Sequence, residues 1–553
     1  MSITSKNSTP QLQSPVSALE ARLIPGQYPH KHQKVSILVI LIVGCLNTID
    51  SSSAALSLPH IAEALEIPKS MHWAGASYCI GLSVTTILLG RLGDAIGRNY
   101  VITTGLLLMA ISHLFISIFQ IPLIYFICRG VSGIASACIH SMTVLMITDL
   151  VSIANRAKTQ ASLGCALGIG DCIGPLLIGY YLNGPGWIWF YLTTSIILFF
   201  FSMIALYILP KADLNITLKE LCKTLDYCGF VLITVFLICL VLPLMNAGIS
   251  WKWGDLRTGI LLCVSIISFI CFFIMEMKWT QIPIIPTRLF LRSGSFNSLC
   301  QNFIIGFIFQ PMQFYIPHYF TVVKGIPLDH VAMLSLTLVI PLSLSSMISG
   351  FIVNKYGYKI CIILGTILWI IGIFLLAEVF GLYTNEVWES MILVIIGFGI
   401  GLELQPSIIA VQAQSLKADR SVAVTTRNVF KSIGGALGVS ISSLIYLKSV
   451  HSYIQVSKEL IDETKQLAVD NMLSKQLSSQ LGTREGEIIG EIYTNLLQVL
   501  LFIWTNILTI SLLLFVQPLE DKGIESVDEN VEYLNISQED QAIELENLGT
   551  ITV

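Results

Sequence analysis

Between about residue 35 and residue 516 the chain alternates runs of roughly twenty apolar residues with short polar connections. A helix rises about 1.5 Å per residue, so about twenty apolar residues match the hydrocarbon thickness of a bilayer. Fourteen such runs predict fourteen spans, near 35–58, 72–90, 100–119, 123–148, 160–182, 187–209, 227–247, 258–278, 297–320, 331–353, 360–380, 389–413, 428–450 and 493–516. Each must be a helix, because a lone strand cannot satisfy its backbone in lipid. The alternating ten-residue strands of a membrane barrel are not seen. The fold class expected is therefore all-α and integral to a membrane.

Composition narrows this further. Only 12% of the 553 residues are charged, about half the share in soluble domains. A net charge of −4 gives no electrostatic reason to expect nucleic acid as a partner. The 13 cysteines are scattered, mostly inside apolar runs and without a CxxC pair, so neither a zinc site nor a disulfide framework is expected, and no cofactor. Residues 1–34 are polar and read as a disordered arm rather than a cleavable leader. The tail 517–553 carries ten acidic residues against Lys522 and also reads as disordered. Residues 458–481 have apolar positions at helical spacing, fitting a helix on the membrane surface or one capping the last two spans.

Basic residues set the orientation. Connections after even-numbered spans hold 14 Lys and Arg, against 4 in the short connections after odd-numbered spans. Even connections and both termini are thus expected in the cytoplasm. The sequons at Asn7, Asn215 and Asn535 fall on that side, where no glycan is expected.

One cytoplasmic connection is unusual. "GRLGDAIGR", Gly90 to Arg98, packs three glycines and three charges between two apolar runs. Glycines let two helix ends approach and turn tightly, and Asp94 can accept charge-assisted hydrogen bonds. "GFIVNKYGYK", Gly350 to Lys359, repeats its offsets weakly after the tenth run. Internal repeats of this kind are common in secondary transporters.

Several motifs in order carry a family resemblance. They are Gly90-Arg91-Leu92-Gly93-Asp94 through Gly97-Arg98; Asp50 followed by Leu58-Pro59; Arg129, Gly133 and Ala137; Gly170, Gly174, Pro175 and Gly179; "GWIWFY" at 186–191; and "TRNVFKSIGGALG" at 426–438. Together they resemble the major facilitator superfamily, in its fourteen-span drug:proton antiporter branch as found in fungi. The resemblance implies two six-helix bundles, at 35–209 and 297–516, with a linker at 210–296 holding two additional helices and an extracytoplasmic loop at 451–492. It implies that Gly90, Arg91, Gly93, Asp94, Gly97 and Arg98 form a latch between conformations. Ala95 and Asn99 depart from the basic residues usual there. Gly170, Gly174, Pro175 and Gly179 would form a smooth, kinked face suited to rocking between halves.

Ionisable groups deep in a span are costly, about 2.5–3.5 kcal/mol each on insertion scales, and read as functional. Asp50, Arg129, Asp171 and Glu403 are the candidates. The resemblance gives Asp50 and Arg129 roles in proton coupling or cation binding. Asp171 stands at a variable position of its motif; it is either a second cavity carboxylate or a partner of Arg129. Glu403 is a substrate contact, a buried group hydrogen-bonded to Gln405, or a helix-kink partner near Pro406. The serines after Asp50 suit a wet cavity wall, and Pro59 should end or kink that helix. His113, His140 and His318 read as packing residues, and Trp187, Trp189, Trp251 and Trp253 as interfacial anchors.

The function expected is export of a cationic or amphipathic small molecule in exchange for protons, by a monomer in the plasma membrane. Partners would be substrate, protons and lipid. A vacuolar proton antiporter for basic amino acids uses the same machinery, and a transport-inactive nutrient sensor shares the fold, though the 37-residue tail is short for a signalling module. No phosphate-binding GxxxxGK[ST] loop and no catalytic cluster is present, so neither an ATPase nor another enzyme is expected.

Overall fold

The computed structural model describes residues 33–65, 72–151, 153–210, 227–246, 251, 254–278, 288–291, 293–415, 420–456, 483–516 and 519. The polar arm, the 458–481 segment and almost all of the acidic tail lie outside the described residues. The helices are α1 (Gln33–Ala64), α2 (His72–Ile96), α3 (Arg98–Ile118), α4 (Pro122–Leu150), α5 (Ile153–Leu182), α6 (Trp187–Ile208), α7 (Tyr227–Asn246), α8 (Leu256–Lys278), the short α9 (Arg288–Leu291), α10 (Ser293–His318), α11 (Leu328–Tyr356), α12 (Tyr358–Val379), α13 (Glu386–Leu404), α14 (Pro406–Ala413), α15 (Arg420–Val456) and α16 (Thr483–Ser511). No strand occurs among the described residues.

Twelve helical stretches among the described residues are long and apolar enough to cross a membrane. The expectation was fourteen. The two long helices outside the twelve are α2 and α10, of 25 and 26 residues. Helix α10 is polar for its length and carries Asn297, Gln301, Asn302, Gln310 and Gln313, whereas α2 is as apolar as α1 and several of its side chains fall outside the described residues. Polar residues on a bundle helix can face an aqueous cavity, and these two helices prove to line one.

Helix ends differ from expectation where backbone chemistry was misjudged. Helix α1 runs past Pro59 to Ala64. The twelfth expected span is two helices, α13 and α14, broken at Gln405. Pro406 has no N–H for the carbonyl of Leu402, and the Cys361 thiol donates to that carbonyl at 3.3 Å instead. Of the expected tryptophan anchors, Trp189 is exposed while Trp187 is buried in the core.

Packing shows an internal repeat. Among the first six helices, α1 packs on α5, α2 on α4, and α3 on α4 and α6. Among the later ones, α10 packs on α15, α11 on α13, and α12 on α13 and α16. The weak sequence repeat has a structural counterpart in its last glycine. Gly97 joins α2 to α3 at φ 101°, and Gly357 joins α11 to α12 at φ 86°. A side chain at either would be strained, so glycine is required for both one-residue turns.

The two groups of helices meet along two seams, α5 against α11 and α2 against α15. These seams are equivalent under the repeat. Helices α7 and α8 pack on each other, and α7 rests against the α2–α15 seam. Helix α8 exposes Leu256, Ile266, Ile267 and Ile270, an apolar surface that suits lipid.

Candidate functional site

Two adjoining chambers lie between the helix groups. The first, about 1530 Å³ of open space, is lined by Ser51, Ser52, Tyr78, Arg129, Asp171 and Tyr315, among others. The second, about 1150 Å³, is lined by Asn47, His140, Asp171, Gln405, Asn428 and Lys431, among others. The second lies toward the starts of α1, α5 and α15 and is called the inner chamber, since the basic connections gather at that end. Asp171, Ser51, Tyr78, Gln310 and Gln313 line both chambers, so Asp171 stands at their junction. Pro175, in the wall of the first chamber, leaves the carbonyl of residue 171 without its helical donor.

Beside the first chamber sits a buried charge cluster. Arg129 Nη1 on α4 donates to Asp50 Oδ1 at 3.0 Å and Oδ2 at 3.3 Å on α1. His113 on α3 places Nε2 3.0 Å from Asp50 Oδ1 and Nδ1 3.0 Å from the Thr194 hydroxyl on α6. The Arg129 guanidinium also lies 4.8 Å from the Tyr78 ring centroid on α2, and the Tyr78 hydroxyl donates to Ser136 at 2.8 Å. One cluster thus ties together α1, α2, α3, α4 and α6. Asp50, His113 and Arg129 are each at most 3% exposed. The Thr194 hydroxyl is also within donating distance of the Phe190 carbonyl, at 2.9 Å, which anchors it beside the imidazole.

The sequence candidates are distributed unevenly around this centre. Asp50 and Arg129 pair with each other, so Arg129 does not pair with Asp171. Asp171 has no hydrogen bond or ion pair among the described residues. Glu403, at the end of α13, accepts from Gln301 of α10 at 3.0 Å and is not bonded to Gln405, whose side chain faces the inner chamber instead. Ser51 and Ser52 line the first chamber as expected. Of the expected latch, Gly93 lies against Met142 of α4, and Arg98 is buried, ion-paired with Asp149 and donating to the Leu145 carbonyl at 2.8 Å. These partners all belong to α4, in the same helix group. Gly90 lies within α2. The side chains of Arg91 and Asp94 fall outside the described residues.

The α5 glycines need a correction. Gly170 and Gly174 press on α1, where an added Cβ would meet Thr48 Oγ1 at 2.0 Å and Ser52 Oγ at 2.1 Å, inside the same helix group. Gly179 faces open space. The glycines that reach the other group are Gly168, against Ser343 of α11, and Gly164, against Gln405. The motif spacing was legible, but which face of α5 meets which neighbour is set by the packing.

Sequence reasoning also left two groups of this site unplaced. His113, read as packing, is a direct partner of Asp50. Lys431, inside the thirteenth apolar run, lines the inner chamber. The rule that flagged the other ionisable residues in spans applies equally to Lys431 and would have found it. Arg427, one turn earlier, is buried and held by neutral acceptors: Asn302 Oδ1 at 2.5 Å, Asn428 Oδ1 at 3.0 Å, the Leu404 carbonyl at 3.1 Å and Ser407 Oγ at 2.8 Å. It ties α15 to α10 and to the break between α13 and α14.

Comparison with known proteins agrees with this architecture. The family model described as Major Facilitator Superfamily matches residues 40–439. The chain is 28% identical over 422 residues to citrate exporter 1 of Yarrowia lipolytica, covering 76% of this chain and 62% of that protein's length. It is 28% identical over 453 residues to the MFS-type transporter clz4 of Cochliobolus lunatus, covering 80% and 79%. It is 25% identical over 414 residues to the multidrug transporter protein MdtP of Bacillus subtilis, covering 74% and 75%. Among solved structures, a bacterial homologue of the human lysosomal transporter Spinster superposes with TM-score 0.59 at 12% identity, covering 89% of this chain and 97% of that one. The proton:xylose symporter XylE superposes with TM-score 0.55 at 13% identity, covering 90% and 100%. At those identities the structures speak for the fold alone. The family match spans most of the chain, and the two-chambered cavity between repeated helix groups accords with it: the chain belongs to the major facilitator superfamily and is a multi-pass membrane transporter, not an enzyme.

Proposed function

We propose that this protein is a secondary-active exporter that exchanges protons for a small organic molecule. The observation that carries this reading is the Asp50–Arg129–His113 cluster, buried beside a cavity that lies between two helix groups. Asp50 is the proton-coupling carboxylate, with Arg129 and His113 holding its charge at depth. The efflux pumps and multidrug transporter among the relatives support export as the direction.

The reading includes α2 and α10 as spans, giving fourteen, with bundles at 35–209 and 297–516 and both termini in the cytoplasm. Gly90 to Arg98 acts as the conformational latch. The plasma membrane is the expected location and the monomer the expected unit. The expectation of a cationic substrate rested on Asp50 greeting a cation. Asp50 is instead engaged by Arg129 and His113, so substrate charge is set by groups that face the chambers.

The test is flux in proteoliposomes under an imposed pH gradient, with a panel of radiolabelled organic cations and carboxylates. Wild type should drive at least one of them uphill, Asp50→Asn should not, and Asp50→Glu should retain part of the activity. Uphill flux by the Asn variant would remove Asp50 from the coupling role.

A further inference from the structure

The inner chamber carries a polar complement that no role described so far uses. Its ionisable lining groups are Tyr78, Cys79, His140, Asp171 and Lys431. Lys431, on α15, makes no hydrogen bond or ion pair among the described residues; the nearest aromatic face is Phe309, at 5.7 Å from its ammonium. One turn earlier on the same helix is Asn428, 3% exposed. Its Oδ1 accepts from Arg427, which fixes the amide orientation and leaves Nδ2 as the free donor. That Nδ2 is buried without a partner.

A buried donor left without a partner is costly, so the site gains when a ligand oxygen meets it. Residues three apart on a helix share a face, so Asn428 Nδ2 and the Lys431 ammonium serve one space. Two donors side by side, one of them cationic, match the two oxygens of a carboxylate. Behind them Arg427 adds a second positive charge whose direct partners are all neutral. Asp171, across the chamber on α5, is the only carboxylate among its lining residues. The wall on α15 is thus net positive, with one opposing acid.

We infer that Asn428 and Lys431 form a carboxylate-binding subsite and that the transported molecule is an organic anion. This rests on reading the chamber as the transport path. Asp171 opposes the anion through its charge, so its neutralisation strengthens binding. The same charge, facing Lys431 in the empty chamber, offsets the cost of leaving the ammonium there unpaired.

The experiment uses purified full-length protein in detergent and reads the shift in its thermal unfolding with succinate, tricarballylate or benzoate. Tetraphenylphosphonium and betaine serve as the cationic and zwitterionic probes. At least one carboxylate should stabilise wild type. Lys431→Gln should weaken that apparent affinity about tenfold or more, Lys431→Arg should keep most of it, and Asp171→Asn should increase it several-fold. Recovery of binding by Lys431→Arg separates loss of the charge from loss of the fold. Carboxylate binding that is unchanged in Lys431→Gln overturns the inference. So does the lack of any carboxylate shift, or stabilisation by tetraphenylphosphonium or betaine alone. If the same preparation drives a cation uphill under a pH gradient, the exporter reading survives and the carboxylate subsite falls. If it binds carboxylate through Lys431 yet drives no probe, the subsite stands and proton-coupled export fails.

Discussion

Replacing Arg129 with Leu removes one side of a buried ion pair and leaves Asp50 at 3% exposure with His113 as its remaining side-chain partner. Breaking such a pair from one side costs about 3–5 kcal/mol. His113 still bonds the carboxylate at 3.0 Å, which places Arg129→Leu near the lower end, about 3 kcal/mol. Asp50→Asn strands the guanidinium, but the Tyr78 ring 4.8 Å away offsets part of the loss, so about 2–3 kcal/mol is expected. The double variant has no buried charge to strand. It loses hydrogen bonds and packing worth about 2 kcal/mol. The two single costs sum to about 5–6 kcal/mol, so the coupling should be about 3 kcal/mol or more. Equilibrium unfolding in mixed micelles titrated with SDS measures all four corners of the cycle. A double variant whose cost equals the sum of the singles within about 0.5 kcal/mol would refute the energetic pairing. The double variant also separates two roles. It should fold well yet fail to drive substrate uphill in proteoliposomes. Retained pH-driven transport would reduce the cluster to a brace.

Three further outcomes follow from the packing. Gly168→Ala would put a Cβ 1.7 Å from Ser343 Oγ and 2.7 Å from its Cβ, forcing α5 off α11; transport should drop several-fold and recover when Ser343→Gly is added, and failure of that rescue would argue against this contact as the cause. Gly97→Ala and Gly357→Ala place a side chain at φ 101° and 86°, and each should lower stability by about 1–2 kcal/mol in the same unfolding titration; a change under about 0.5 kcal/mol would show that the turns adapt. Asp94→Asn should leave the protein folded and in its membrane, by size-exclusion profile and localisation, while lowering turnover, and wild-type turnover would remove Asp94 from the latch.

The sequence by itself determined the class of molecule, because long apolar runs admit one solution in lipid. It also located most spans, the repeat ending at Gly97 and Gly357, and the acid and base that pair at Asp50 and Arg129. These are local properties: run length, a turn that only glycine makes, and the cost of a charge inside an apolar stretch. Tertiary structure decided what those groups touch. Residues 50, 113, 129 and 194 are far apart along the chain, and no spacing rule puts His113 between Asp50 and Thr194. The same holds for α5, where glycines alike in sequence divide between α1 and the opposite helix group. The break at Gln405 shows the limit from the other side. Pro406 marked a possible kink but not the break, and only packing supplied the Cys361 thiol for the orphaned Leu402 carbonyl and the Arg427 guanidinium for Leu404. The partnerless Nδ2 of Asn428 is likewise invisible in sequence, since a missing hydrogen bond exists only once every neighbour has been placed.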